Sequence, residues 1–76
     1  MLYFGIDMKE TGVCLRRRID ESGYSTKDIQ NVLGLTCIQT VYKWYSGKGL
    51  PSIENLLNLA FLLECSVEDL LVVYNR

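Results

Sequence analysis

Histidine is absent from the 76 residues, and proline occurs once. Without histidine the chain lacks the usual general base of acid–base and nucleophilic catalysis, and no potential nucleophile has an identifiable partner beside it. The expectation is a protein that is not an enzyme. Cysteine is scarce too. Cys14, Cys37 and Cys65 are odd in number, far apart and never in a C-x-x-C pair, which argues against a disulfide staple or a redox motif. A zinc site would lack its fourth soft ligand. No metal and no cofactor are expected, and the three thiols read as small apolar residues. Long apolar runs are also missing. None approaches the ~18–20 residues that cross a bilayer, and those near the C-terminus are broken by Asn58, Glu64 and Ser66. Leu2-Tyr3-Phe4 is too short for a signal-peptide core. No membrane association and a cytoplasmic location are expected.

Net charge is nearly absent, at −1, but it is unevenly placed. Residues 1–48 hold seven basic and five acidic side chains, whereas residues 49–76 hold one basic and four acidic. A basic front on a neutral chain can still meet a polyanion, because the local field governs the contact. The Arg16-Arg17-Arg18 triplet itself reads as a solvated helix face. Half the residues are apolar, at 49%, enough for one small domain over residues 1–76. Such a domain buries only about 60% of its unfolded surface, so nearly every apolar side chain is needed inside.

Caps and periodicity predict an all-α bundle of five short helices. The first runs from about Asp7 to Ser22, with Met8, Gly12, Leu15 and Ile19 on one side and Gly23 as its stop. Ser25 with Asp28 has capping-box spacing and opens a second helix. Its apolar face is Ile29, Val32 and Leu33, and Gly34 closes it. After Leu35-Thr36-Cys37 a third helix follows to Ser46, with Thr36 and Gln39 at capping-box spacing and Cys37 as the alternative boundary. Ile38, Val41, Trp44 and Tyr45 form its inner stripe, so Trp44 is read as core rather than as a base-stacking residue. A glycine loop, Ser46-Gly47-Lys48-Gly49, leads to Pro51.

Ser52 caps a fourth helix, with Ile53, Leu56, Leu57, Ala60 and Leu63 as its buried face and Leu59, Phe61 and Leu62 widening it. Ser66-Val67-Glu68-Asp69 is a further capping box and starts a last short helix through Leu71. Leu2–Ile6 and Leu71–Tyr74 are extended in propensity, and they are expected to pair as a terminal two-stranded ribbon, within one chain or across a dimer. Leu59, Leu62, Leu70 and Tyr74 are surplus to the core and are candidates for a dimer patch.

The informative constellation is the pair of helices at about 25–34 and 37–46, joined by a tight turn after a glycine. Such a turn makes the helices cross steeply, and the outward face of the second stands proud, able to enter the DNA major groove. Gln39 and Lys43 are i, i+4 neighbours there. Glutamine can pair bidentately with adenine, and lysine can donate to guanine. Thr40 can meet a thymine methyl or a phosphate, and Tyr42, large and polar-tipped, suits a backbone or sugar contact.

The segment from about Met8 to Leu71 resembles the phage-repressor, or Cro-type, helix-turn-helix family of bacterial transcriptional regulators, also called the xenobiotic-response-element type. The matching pieces are Gly23-Tyr24-Ser25, Asp28-Ile29, Leu33-Gly34-Leu35, Gln39 to Trp44, Gly47-Lys48, Leu50 to Leu56, and Val67 to Leu71. The resemblance implies phosphate contacts at Ser25, Thr26 and Lys27, at the N-terminus of the second helix. It implies base-reading positions at Ile38, Gln39 and Lys43, with Thr40 and Tyr42 as neighbours. A second phosphate falls on Lys48 and the backbone N–H groups of Gly47 to Gly49. The chain departs from the family in three ways: Thr26 stands where glutamine is frequent, Gln30 where alanine is, and one extra residue separates Gly34 from Trp44.

The expected function is sequence-specific binding of double-stranded DNA by a homodimeric transcriptional regulator, acting as a repressor by occupancy. The alternative, from a different class, is a protein-interaction module or antitoxin on the same fold, paired with a partner protein and making little or no contact with DNA.

Overall fold

The computed structural model describes residues 4–75, so Leu2 and Tyr3 of the expected ribbon lie outside the described residues. The chain runs β1 (Phe4–Ile6), α1 (Met8–Ser22), α2 (Thr26–Leu33), α3 (Gln39–Tyr45), α4 (Ile53–Leu62), α5 (Val67–Leu70) and β2 (Val73–Asn75). Five helices and a terminal ribbon are thus present among the described residues. β1 and β2 pair antiparallel, with Ile6 opposite Val73 and Gly5 opposite Tyr74.

Local chemistry starts four of the helices. Asp7 caps α1 by accepting from the Glu10 N–H at 3.0 Å, and Ser52 caps α4 by accepting from Asn55 at 3.2 Å. Ser25–Asp28 and Ser66–Asp69 each form both halves of a capping box. The Ser66 bonds also hold the Asp69 carboxyl below the usual carboxylate range. α3 is the exception. It begins at Gln39 with Ile38 at the cap position and no side-chain cap bond, so the expected Thr36–Gln39 box does not form. The turn accordingly spans Gly34 to Ile38, longer than the sequence spacing suggested.

The core gathers Leu15 and Ile19 of α1, Ile29 of α2, Val41, Trp44 and Tyr45 of α3, Leu56, Leu59 and Ala60 of α4, and Leu70 of α5. Gly12 lets α1 cross α3 closely, since a Cβ there would land on the carbonyls of Trp44 and Tyr45. Thr11, fully buried, joins the helices to the ribbon: its hydroxyl donates to the Val72 carbonyl at 3.2 Å and accepts from the Val72 N–H at 2.9 Å.

Three packing expectations are corrected. Val32 of α2 is exposed, because only Ile29 and Leu33 of that helix reach the core. Leu59 and Leu70 are fully buried rather than surplus. α4 is rotated from its expected setting: its inner stripe is Leu56, Leu59, Ala60 and Leu63, whereas Ile53 and Leu57 face out with Phe61.

Candidate nucleic-acid interface

α2 and α3 bury one side each and leave a common outer surface. Val41, Trp44 and Tyr45 hold α3 to the core, so Gln39, Tyr42, Lys43 and Ser46 stand exposed on the opposite side. Gln39 and Lys43, on successive turns, form one strip. Thr40 sits at its edge, half-buried, with Oγ1 3.5 Å from Cys37 Sγ. That side chain and the amides at the head of α3 hold the exposed Cys37 thiol below its usual pKa. Ile38 is half-buried at the cap position.

The extended turn is braced by Gln30, one of the departures from the resembled family. Its Nε2 donates to the Leu35 carbonyl at 3.3 Å, while the Leu35 N–H returns to the Gln30 carbonyl at 3.0 Å. Gln30 Oε1 is buried without a hydrogen-bond partner among the described residues.

At the N-terminus of α2, Ser25 and Lys27 are exposed and Thr26 is half-buried. The Thr26 and Tyr45 hydroxyl oxygens lie 3.2 Å apart, fixing that terminus to α3. Burial nonetheless pushes the Tyr45 phenol above its ordinary pKa, against the lowering influence of the Thr26 bond. The capping box takes the Asp28 N–H, and a helix terminus held in this way turns the positive end of its dipole to solvent.

Beyond α3 the loop turns back sharply. Gly47 is left-handed, with φ 79°, and a Cβ there would press on the Lys9 backbone. Its N–H donates to the Trp44 carbonyl and the Lys48 N–H to the Lys43 carbonyl, which closes α3. Gly49 follows in open space, and the Lys48 side chain is exposed. Ser25, Thr26 and Lys27 on α2, the α3 strip and Lys48 therefore come from three successive segments of one helix-turn-helix and loop.

Sequence reasoning missed one neighbour of this surface. An open groove of about 650 Å³ separates α1 from the C-terminal half of α3, bounded by Arg16, Asp20, Tyr42 and Ser46 among others. The Arg16 guanidinium lies 5.1 Å from the Tyr45 ring centroid, and the Tyr42 ring meets Tyr45 edge-on at 5.8 Å. Arg16 Nε is also 4.0 Å from Asp20 Oδ2, so charges of both signs border the groove. No local spacing in the sequence signals that contact, because α1 and α3 meet only through the fold. Arg17 is exposed as expected, whereas Arg18 is half-buried and its Nε has no hydrogen-bond partner among the described residues.

Among the described residues no group of three histidine, cysteine, aspartate or glutamate side chains could hold a metal ion. No helix among them is long and apolar enough to cross a membrane. The family model for the Cro/C1-type HTH DNA-binding domain matches residues 14–75, which take in every helix from the middle of α1 onward. No curated protein and no solved structure matches the chain.

Proposed function

Because the chain belongs to the Cro/C1-type helix-turn-helix DNA-binding family, we propose that it reads a specific double-stranded site with α3 in the major groove. The observation that carries this reading is the exposed Gln39–Lys43 strip on a helix whose other side is locked into the core. Gln39 is assigned to adenine and Lys43 to guanine, with Thr40 and Ile38 as apolar or methyl contacts beside them. Ser25, Thr26 and Lys27 take one phosphate at the head of α2. Tyr42 and Lys48 take others, with Gly47 and Gly49 allowing close approach of the loop. Since the Gly47 and Lys48 amides already close α3, Lys48 Nζ is the loop's main charge for that contact.

A single seven-residue reading helix offers few base contacts. Two copies on a pseudo-palindrome, with half-sites about 10 base pairs apart, supply enough. Such a protein acts as a repressor by covering its operator in the cytoplasm.

Site variants test the assignment. Gln39→Ala should cost about 1–3 kcal/mol on the preferred operator and relax selectivity at one base pair. Lys48→Ala should weaken all sequences alike and lower the salt slope by about one contact. Wild-type affinity and selectivity in both Gln39→Ala and Lys43→Ala would transfer support to the interaction-module reading.

A further inference from the structure

Leu35, the first residue past Gly34, is tied to Gln30 through both of its backbone groups. Its N–H donates to the Gln30 carbonyl at 3.0 Å, and the Gly34 N–H donates to the Asn31 carbonyl at 3.2 Å, the two bonds of a Schellman close to α2. The Gln30 side chain adds a third bond, Nε2 donating to the Leu35 carbonyl at 3.3 Å. That bond fixes the carboxamide, since the reverse orientation would set its oxygen against the Leu35 carbonyl. Oε1 is left buried without a hydrogen-bond partner among the described residues, so the clamp holds despite an unsatisfied polar atom. The Leu35 side chain packs against the core as well.

Past this clamp the chain enters α3 with little else to hold it. Thr36 and Cys37 are exposed, and Ile38 at the cap position makes no side-chain cap bond. The 3.5 Å contact of Cys37 Sγ with Thr40 Oγ1 stays within the head of the helix itself. The rest of α3 is fastened independently. Val41, Trp44 and Tyr45 are core, Gly12 of α1 lies against the Trp44 and Tyr45 carbonyls, and the Tyr45 hydroxyl meets that of Thr26. Gln39 precedes every one of these anchors, whereas Lys43 lies between Val41 and Trp44. We propose that Gln30 is a positioning residue for base reading. By clamping Leu35 it sets where Gln39 meets its base pair, and it leaves the placement of Lys43 to the core. Gln30 is half-buried and acts through Leu35, not through a DNA contact of its own. The inference rests on the DNA-reading assignment and adds to it a residue that decides specificity from outside the reading helix.

Selection from random duplexes with the full chain, and with Gln39→Ala and Lys43→Ala, first identifies the base pair that each side chain reads. Gln30→Met, close in length but without the donor or the orphaned oxygen, is then compared with Gln30→Ala; either decides alone if the other does not fold by circular dichroism. The expected result is a preference about tenfold weaker at the Gln39 base pair, within the range that one bidentate contact discriminates, with the Lys43 base pair and the salt slope unchanged. Without DNA, hydrogen exchange should show protection lost at the Leu35 amide and kept from Val41 to Tyr45. A preference retained at the Gln39 pair overturns this inference alone. So does an equal loss at both pairs, which a merely structural role would give, or an unchanged Leu35 amide. A wild-type chain that selects no motif overturns the DNA-reading assignment, and this inference falls with it.

Discussion

The Thr26 and Tyr45 hydroxyls, 3.2 Å apart, tie the first turn of α2 to the buried side of α3. The two helices are thus fixed at the end where the proposed phosphate contact lies, and not only through their apolar stripes. Tyr45→Phe keeps the ring, its edge-on contact with Tyr42 and its place under Arg16, and removes only the tie. It should cost about 0.5–1.5 kcal/mol in urea denaturation, with unchanged slope. Thr26→Val with Tyr45→Phe should cost less than the sum of the two single changes, because both break the same bond.

Thr11 holds the ribbon to the helices through two hydrogen bonds to Val72. Thr11→Val preserves shape but leaves the Val72 N–H without its acceptor, whereas the Val72 carbonyl still accepts from the Asp7 N–H at 2.8 Å. The expected loss is about 1–3 kcal/mol, the desolvation of one buried donor, read by thermal or urea unfolding. A loss below 0.5 kcal/mol on the order of surface changes would show that the ribbon is not anchored there.

Glu64, just past α4, occupies the left-handed region at φ 56°. A side chain with a Cβ is disfavoured there, and glycine is not. Glu64→Gly should therefore stabilise the fold by about 0.5–1 kcal/mol despite the greater freedom it gives the unfolded chain. A rise in melting temperature checks it.

Cys37 and Cys65 should separate in alkylation. The thiolate is the nucleophile; Thr40 shifts the exposed Cys37 toward it at lower pH, while burial pushes Cys65 the other way. Below the ordinary cysteine pKa of about 8.5, iodoacetamide should label Cys37 first, and the gap should narrow as pH rises. Thr40→Val should slow Cys37 and leave Cys65 unchanged in peptide mass mapping.

What was legible in the sequence is what local chemistry controls. Ser25–Asp28 and Ser66–Asp69 are three residues apart, so their capping boxes can be read without knowing the fold. The outward set on α3 was legible for a similar reason, since Val41 and Trp44 leave only one way to face it. The start of α3 was not, because Ile38 at its cap position makes no side-chain cap bond and the preceding turn is braced from Gln30, on another helix. Nor was the rotation of α4. Its sequence is apolar on two stripes, and only packing into the shared core, beside α5, selects Leu59 over Leu57. The Arg16–Tyr45–Thr26 chain joins three helices and leaves no spacing to detect.

Selection from random double-stranded oligonucleotides with the purified protein asks whether this chain prefers a particular duplex sequence. The expected result is enrichment of one motif in two inverted half-sites about 10 base pairs apart, centre to centre, with Gln39→Ala losing preference at one position of each half. Recovery of no motif at low salt, or of the same motif with Gln39→Ala and Lys43→Ala at wild-type affinity, would contradict it.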